Sequence, residues 1–384
     1  MAKYKLGDVC EIVSGSTPKT NIEEYWDGDI KWITPAEIND DTYIITDSIR
    51  KITDLGAKKT GLSLFPEGTV ILSSRAPIGK VAIAGCAMCC NQGFKNLICS
   101  DKILNKYLYW FLKGNTPYLN SLGRGATFRE ISKSIVAQIE INVPDIVYQK
   151  EVVDILEKIS EVITRRKREL SALDNLIKAR FVEMFGDPIK NTKGWEVVTI
   201  GDIVTEVRYG TSKPAVEGGK YPYIRMNNLT SDGHLDLKDL KYIDIPDNEI
   251  EKCVVRKGDV LFNRTNSIEL VGKTAVFDLP DDMVIGGYII RVRLNERILP
   301  EVLSQYMNLE ALKDILRSMA KGAVNQANIN AQELQDIKVY IPDMGVQTEF
   351  VEIVKQVDKS KVAVQKALDE TQMLFDSLMQ KYFM

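Results

Sequence analysis

The sequence predicts an α+β protein of mixed α/β character, in which two globular domains are separated by two long helices that form an antiparallel coiled coil with a pseudo-two-fold internal repeat. Three observations support this. The chain has 384 residues, 45% of them hydrophobic, which is too long for one ordinary domain and sufficient for at least two cores. Several motifs occur twice in the same order, and each copy ends in a long helical heptad pattern.

The repeat extends through most of the chain. "VPDIVYQKEVVDIL" (143–156) and "IPDMGVQTEFVEIV" (341–354) share a Pro-Asp pair and a Gln five positions after the Pro. Three further pairs precede them: "KLGDVCEIVSGSTPK" with "TIGDIVTEVRYGTSKP", "FPEGTVILSSRAPIGKVAI" with "VRKGDVLFNRTNSIELVGKTAV", and "GRGATFREISKSIVAQIEINVP" with "AKGAVNQANINAQELQDIKVYIP". In the second pair an Arg follows a β-rich run and Gly-Lys closes the loop. The chain is therefore a duplicated unit.

Each unit begins with a globular domain. Short β-branched and aromatic runs such as "TVILSS", "VLFNR" and "YIIRVRL" alternate with helical stretches such as "LNKYLYWFLKG", which is typical of a mixed α/β domain. We predict globular domains at 1–145 and 187–343, and long helices at 146–186 and 344–384. The first helix has plausible ends, since Pro144-Asp145 precedes it and Gly186-Asp187-Pro188 follows it.

The two helices carry heptad patterns with mean steps of 3.5 residues, and eight of ten positions in each are apolar. The first series is Val152, Leu156, Ile159, Ile163, Arg166, Leu170, Leu173, Ile177, Arg180 and Met184. The second is Phe350, Val354, Val357, Lys361, Val364, Leu368, Thr371, Phe375, Leu378 and Tyr382. Because the first helix leads directly into the second domain, a second helix that packs on it must run back. This predicts an antiparallel rod of roughly 60 Å with a domain at each end. Alternatively, the apolar stripes bind helices of other chains.

Composition excludes several classes of protein. The start of the chain has no apolar signal segment and no run reaches the ~20 apolar residues of a membrane span, so we expect a cytoplasmic protein. The six cysteines are too sparse for a disulfide framework. "CAMCC" (86–90) contains C-x-x-C, but a zinc site would need further ligands, and the only histidine is distant His234. Reduced cysteines in or beside a strand are the favoured interpretation.

Charge is distributed unevenly, although the formal net charge is only −3. Residues 11–54 contain ten acids and four Lys/Arg, whereas residues 60–135 contain three acids and nine Lys/Arg. A basic face beside an acidic one fits a DNA-facing surface, but ordinary solvated charge would give the same counts.

Signatures of catalysis are missing from the sequence. It contains no N-P-P-[FY] and no glycine-rich nucleotide fingerprint after a strand. "SIELVGKT" (267–274) ends like a Walker loop, but Ser267 stands where its first glycine belongs, so a loop that returns to a strand is favoured. One histidine leaves little scope for His-based chemistry. We interpret the chain as a binding subunit without catalysis of its own.

Two similar reading heads suit two DNA half-sites separated by unread base pairs. Essentially the whole chain resembles the specificity subunits of type I restriction-modification enzymes. The resemblance rests on "STPKTNIEEYWDGDIKWITPAEI", "SRAPIGKVAIAG", "NQGFKNL", "GATFREISKSIVAQIEINVP" and "FVEMFGDP", then on "NRTNSIELVGKTAVF", "GAVNQANINAQELQDIKVYIP" and the helix start that contains Gln347. It implies that 1–145 and 187–343 are target-recognition domains that read a bipartite, asymmetric double-stranded DNA sequence.

The resemblance also implies partners. Modification subunits would methylate adenine with S-adenosylmethionine, and restriction subunits would translocate and cut DNA with ATP and Mg²⁺, so we expect no cofactor or metal in this chain and no membrane partner. Two other functions stay open: a stand-alone two-headed DNA binder such as a repressor, and a scaffold whose domains bind proteins instead of DNA.

Side-chain chemistry selects candidate DNA contacts within these motifs, because Arg can hold guanine, Asn or Gln can hold adenine, and Lys binds phosphate. In the first domain the candidates are Lys19, Arg75, Lys80, Gln92, Lys95, Arg124, Thr127 and Arg129. In the second they are Lys213, Arg225, Asn227, Asn228, Arg264, Asn266, Lys273, Lys321, Asn325 and Gln326. Arg75 and Arg264 could instead pair with acids of their own domain, and Asn227-Asn228 could cap a turn. Trp26 and Trp32 are expected to be packing aromatics.

Overall fold

A computed structural model of the chain describes residues 2–39, 41–75, 77–125, 129–323 and 326–383. It divides into two compact units. Unit 1 comprises residues 1–167 and 366–384, and unit 2 comprises residues 168–365. Two long helices, α6 (Ile146–Phe185) and α11 (Met344–Phe383), each contribute one part to each unit. Every unit therefore contains a mixed α/β globular portion and a segment of both helices.

Unit 1 has ten described strands and five shorter helices. The strands are β1 (Ala2–Lys5), β2 (Cys10–Ser14), β3 (Trp26–Ile33), β4 (Ile44–Ile45), β5 (Arg50–Ile52), β6 (Val70–Ser73), β7 (Val81–Ala84), β8 (Cys89–Cys90), β9 (Phe94–Cys99) and β10 (Glu140–Val143). The helices are α1 (Leu6–Val9), α2 (Asp54–Thr60), α3 (Asn105–Gly114), α4 (Thr116–Ser121) and α5 (Lys133–Gln138). A five-stranded sheet has the order β2-β9-β6-β7-β4, a second sheet the order β5-β3-β8, and β1 pairs with β10.

Unit 2 has thirteen described strands: β11 (Glu196–Thr199), β12 (Val204–Tyr209), β13 (Tyr221–Ile224), β14 (Lys241–Ile243), β15 (Val254–Val255), β16 (Val260–Asn263), β17 (Thr265–Asn266), β18 (Thr274–Val276), β19 (Met283–Ile285), β20 (Ile289–Leu294), β21 (Lys321–Ala323), β22 (Gln326–Asn328) and β23 (Lys338–Ile341). Its shorter helices are α7 (Ile250–Cys253), α8 (Pro300–Asn308), α9 (Glu310–Met319) and α10 (Ala331–Gln335). The sheet orders are β12-β20-β16-β18, β14-β13-β19-β15, β17-β22-β21 and β11-β23.

The same strand order recurs in both units. The order β2-β9-β6-β7 corresponds to β12-β20-β16-β18, and the parallel pair β3–β8 corresponds to β13–β19. The central strands β6 and β16 are buried along their whole length, which explains their continuous runs of Val, Ile, Leu and Phe.

The repeated glutamine has the same role in each unit. The side chain of Gln149 is fully buried; its Nε2 donates to the carbonyls of Pro144 (2.8 Å) and Lys102 (2.9 Å), and its Oε1 accepts from the Leu104 amide (2.8 Å). Gln347 makes the equivalent bonds to Pro342, Arg297 and Leu299 at 2.8, 3.0 and 2.8 Å. The duplicated motif therefore ties the start of a long helix to the segment that precedes α3 or α8.

In unit 1 the helix segments pack on the globular core through aromatic side chains. The Trp110 and Phe375 rings lie 5.6 Å apart, and those of Tyr107 and Phe383 lie 5.1 Å apart. Arg166, a polar member of the heptad series, donates to the carbonyl of Ala367 and the hydroxyl of Thr371. The polar heptad positions of this unit are thus hydrogen-bonded to each other.

In unit 2 Phe350 packs between Phe181 and Phe185, at ring distances of 5.4 and 5.1 Å. Lys361 forms an ion pair with Asp174 at 2.6 Å. The heptad series predicted Arg180 at the packed face, and this is wrong: Arg180 is exposed and pairs with Glu183, while Phe181 and Phe185 are buried. A straight helix turns every 3.6 residues, so its buried face drifts away from a strict 3.5-residue series.

Candidate nucleic-acid interface

A buried asparagine organises the loops at one end of the unit 2 sheet. Asn263 ends β16, and its fully buried Nδ2 donates to the carbonyls of Thr265 and Tyr288, both at 3.1 Å. Its Oδ1 accepts from Nδ2 of Asn266 at 2.8 Å. One amide thus fastens the loop that carries candidates Arg264 and Asn266 to the loop before β20.

Arg264 lies between neighbouring loops. Its guanidinium carbon is 4.9 Å from the centre of the Tyr209 ring, and its Nη1 is 3.4 Å from the Gly287 carbonyl. Tyr209 and Tyr288 are 44% and 50% exposed. Guanidinium stacking on an aromatic ring leaves the edge of the guanidinium available for polar partners. This arrangement can present bidentate donors to a base or a phosphate.

The hairpin β21–β22 adjoins this loop, because Thr265 pairs with Asn328 across β17 and β22 and its hydroxyl donates to Asn328 Oδ1 at 2.9 Å. Candidate Gln326 is exposed on β22, so the structure brings it near Asn266, which pairs with Ala327. Lys321 lies on β21, and Asn325 lies outside the described residues.

A short 3-10 turn, Met226–Asn228, carries the next candidates. Asn227 is exposed, whereas Asn228 is buried and accepts from the Arg225 amide at 2.9 Å, as a turn-capping asparagine does. Arg225 Nη2 pairs with Asp239 at 2.8 Å. Lys213 pairs with Glu249 at 2.8 Å. Two predicted DNA contacts of this group therefore already have acidic partners in their own unit.

Lys273 is 8% exposed, and its ammonium donates to the carbonyls of Met226 (3.0 Å) and Leu229 (2.5 Å). Burial lowers the pKa of this lysine. It follows Gly272, whose φ is +81°, and precedes β18. The Walker-like segment is therefore a loop that returns to a strand, as the missing glycine predicted.

In unit 1 the polar candidates gather around Glu130. Arg75 and Lys95 approach its carboxylate at 3.5 and 3.1 Å, and the backbone of exposed Arg124 bonds to that of Glu130 in both directions at 3.0 and 2.9 Å. Lys95 is 6% exposed, and Arg75 is about one-third exposed. Arg129 is exposed beside this group, and Thr127 lies outside the described residues. Arg75 and Lys95 thus form a paired cluster inside the unit.

The remaining candidates of unit 1 are Lys80, Gln92 and Lys19, of which Lys80 contacts a second 3-10 turn, Pro35–Glu37. Lys80 is half-buried and donates to the carbonyl of Pro35 at 2.9 Å. Gln92 and Lys19 are exposed, and the side chain of Gln92 is hydrogen-bonded to the hydroxyl of Thr17. Trp26 and Trp32 are buried, with their rings 5.1 Å apart, and are packing residues as predicted.

The repeated arginines do not occupy equivalent positions. Ser74 donates its amide to Gly93 and accepts from Ile131, as Arg264 does with Tyr288 and Ile329. The backbone of Arg75 forms an antiparallel β-bridge with Glu130. In unit 2 the residue in the corresponding position, paired with Asn328, is Thr265. Sequence comparison had paired Arg75 with Arg264, and the hydrogen-bond register shifts this pairing by one residue. The two loop clusters share a backbone arrangement but differ in their polar side chains.

Sequence reasoning missed three exposed residues at these loops: Tyr209, Tyr288 and Ile49, the last of which is 86% exposed. Ile49 is held in place by its amide, which donates to the Glu37 carboxylate at 2.7 Å. For Tyr288 the sequence contains a signal, which is the glycine pair Gly286-Gly287 directly before it. A side chain on Gly210 would meet the carbonyls of Ile285 and Gly286 at 2.3 Å, so the close approach of two loops requires glycine at position 210.

The C-x-x-C motif lies in and beside a strand, as predicted: Cys89 begins β8, and Cys86 lies in the bend before it. Cys89 and Cys90 form β8 and are buried, and burial raises the pKa of each thiol to about 12. Within the described ranges, no group of three or more His, Cys, Asp or Glu residues is arranged to hold a metal ion. Nor does any helix among the described residues have the length and apolarity to cross a membrane.

The two units have the same order of central sheet strands and equivalent backbone hydrogen bonds at the loops that contain Ser74-Arg75 and Arg264-Thr265. A family model described as the type I restriction modification DNA specificity domain matches residues 1–174 and 192–371. The chain belongs to this family.

Known proteins of this kind resemble the chain to different extents. The type I restriction enzyme MjaIX specificity subunit of Methanocaldococcus jannaschii is 37% identical over 59% of this chain and 57% of its own length. The EcoKI specificity subunit of Escherichia coli is 24% identical over 85% of this chain and 76% of its own length. The crystal structure of a type I restriction-modification S subunit from M. genitalium, 16% identical, covers 100% of this chain and 96% of its own with a TM-score of 0.58, and so shares its fold.

Proposed function

We propose that the chain is the DNA-recognition subunit of a type I restriction-modification complex. In this role it reads a bipartite, asymmetric DNA sequence and positions the subunits that methylate and cut DNA. The observation that carries the proposal is the match of the DNA specificity domain to both halves of the chain. The names of the MjaIX and EcoKI relatives support the same role.

An asymmetric target follows from the different side chains on equivalent loops. Ser74 and Arg75 in unit 1 stand where Arg264 and Thr265 stand in unit 2, and Lys95 of β9 corresponds to Ile290 of β20. Base-specific contacts depend on the donors and acceptors that each side chain offers. Two domains that share a backbone arrangement but differ in their polar side chains therefore read different half-sites.

We infer that α6 and α11 pair as an antiparallel coiled coil within a pseudo-two-fold internal repeat. Contacts inside unit 2 support this, because Asp174 pairs with Lys361 while the later Phe185 packs on the earlier Phe350. The bonds of Arg166 to Ala367 and Thr371 in unit 1 fit the same direction. Such helices would fix the separation of the half-sites.

The proposed complex includes partners with their own cofactors. Modification subunits would supply S-adenosylmethionine-dependent methyl transfer, and restriction subunits would supply ATP- and Mg²⁺-dependent translocation and cleavage. This chain would contribute recognition without catalysis, in the cytoplasm of a bacterial or archaeal cell. Among the candidates, we propose the exposed residues as the first DNA contacts: Lys19, Gln92, Arg124, Arg129, Asn227 and Gln326, joined by half-buried Arg264.

The test is methylation mapping of the host genome with and without this gene. A bipartite methylated motif that disappears on deletion and returns with the gene is the expected result. The control is a chain in which residues 1–145 are replaced by the corresponding domain of a relative, which should change one half-site only. An unchanged methylation pattern after deletion would contradict the proposed function.

A further inference from the structure

Lys80 and Lys273, which belong to the repeated Gly-Lys of the two copies, make the same contact in the two units. Lys80 Nζ donates to the carbonyl of Pro35, the first residue of the 35–37 turn, at 2.9 Å. Lys273 Nζ donates to the carbonyl of Met226, the first residue of the 226–228 turn, at 3.0 Å. In each case the acceptor lies more than forty positions away in the sequence and belongs to the backbone.

The two lysines also occupy the same place in the sheet. The Ser73 amide at the end of β6 donates to the Lys80 carbonyl at 2.8 Å, and the Asn263 amide at the end of β16 donates to the Lys273 carbonyl at 2.8 Å. Each lysine therefore stands opposite the residue that leads into the candidate loop. That loop contains Arg75 in unit 1 and Arg264 in unit 2.

The unit 2 turn contains one of the proposed DNA contacts, and the unit 1 turn holds an exposed residue of a neighbouring segment. In unit 2 the turn carries exposed Asn227, and Asn228 Nδ2 donates to the Asp236 carbonyl at 2.8 Å. In unit 1 Glu37 accepts from the amides of Thr34 and Ile49, both at 2.7 Å. A lysine that joins the turn to the candidate loop thus determines the distance between these exposed residues and Arg75 or Arg264.

We propose that Lys80 and Lys273 are positioning residues that couple the 3-10 turn to the arginine-bearing hairpin of each recognition domain, and so determine base discrimination without contacting DNA. This inference rests on the proposed function and deepens it. An ammonium group suits the role because it can donate to several carbonyls at once, and Lys273 does so with Met226 and Leu229.

The test compares Lys80→Met and Lys273→Met in the full chain. Met keeps most of the side-chain volume and removes the donors. Hydrogen exchange of the DNA-free chain should accelerate around residues 225–229 in the Lys273 variant and around 34–38 in the Lys80 variant. In the chain assembled with modification subunits, each variant should lose about tenfold discrimination at bases of one half-site only, a different half-site for each. The slope of binding against salt concentration should stay unchanged.

The matched control is Lys252→Met, at an exposed lysine of unit 2. It should alter neither turn exchange nor base discrimination. A salt slope reduced by about one unit, with equal weakening on all sequences, would identify a phosphate contact and overturn the proposal. Unchanged exchange in both turns would also overturn it. Hydrogen exchange is measured without DNA and does not depend on the proposed function. If the proposed function is wrong, the unsubstituted chain assembled with modification subunits will show no DNA target. If Lys273→Met fails to fold, the variant Lys80→Met, at a half-buried lysine, still tests both turn exchange and base discrimination.

Discussion

The duplicated glutamines allow one structural element to be tested twice in the same chain. We expect Gln149→Met and Gln347→Met each to destabilise their own unit by about 3–5 kcal/mol. Each side chain is fully buried and makes three hydrogen bonds to backbone groups. Leaving a buried donor or acceptor unsatisfied costs about 1–3 kcal/mol, and water entering the site recovers part of the sum.

Native-state hydrogen exchange measures this cost in each unit separately, because it reports opening free energies segment by segment. The Gln347 variant should lose protection in 297–304 and 342–350, and the Gln149 variant in 102–108 and 144–152. Gln356→Met is the matched control, since Gln356 is exposed on the same helix as Gln347 and should change stability by less than about 0.5 kcal/mol. A cost below about 1 kcal/mol at both buried sites would refute the reasoning.

Three further results are expected. Lys361→Met should lower the free energy of unfolding of unit 2 by about 2 kcal/mol, because it leaves Asp174 and Asp232 without the ammonium that lies 2.6 and 2.8 Å from them. In the same urea unfolding experiment, Lys355→Met, which removes an exposed ion pair, should lower it by less than about 0.5 kcal/mol. Asp358 at 3.3 Å and Asp232 at 3.8 Å raise the pKa of His234, whereas burial and nearby Lys361 lower it. The stability that protonated His234 contributes is complete below pH 6.5 and is lost as the pH rises through the raised pKa. The free energy of unfolding of the His234→Gln variant should therefore depend less on pH in that range. Arg264→Ala should relax methylation specificity at one base position by ~1–3 kcal/mol, while equal loss on all sequences would indicate a phosphate or structural role.

The sequence alone predicted the elements whose signals are local or periodic. The heptads predicted long helices, found at Ile146–Phe185 and Met344–Phe383, and the β-branched runs predicted the central strands β6 and β16. The repeated Gln pointed to one role performed twice. Such features are readable because side-chain periodicity and backbone propensity act over a few residues.

Tertiary structure decided which polar side chains are free to bind anything. Lys273 and Arg264 are nine residues apart between β16 and β18, yet Lys273 is buried against carbonyls over forty residues away, while Arg264 stacks on Tyr209. The one-residue shift that aligns Arg75 with Thr265 likewise arises from pairing with Glu130 and Asn328. Composition cannot encode these outcomes, because whether a donor is satisfied depends on acceptors that only the folded chain brings within hydrogen-bonding distance.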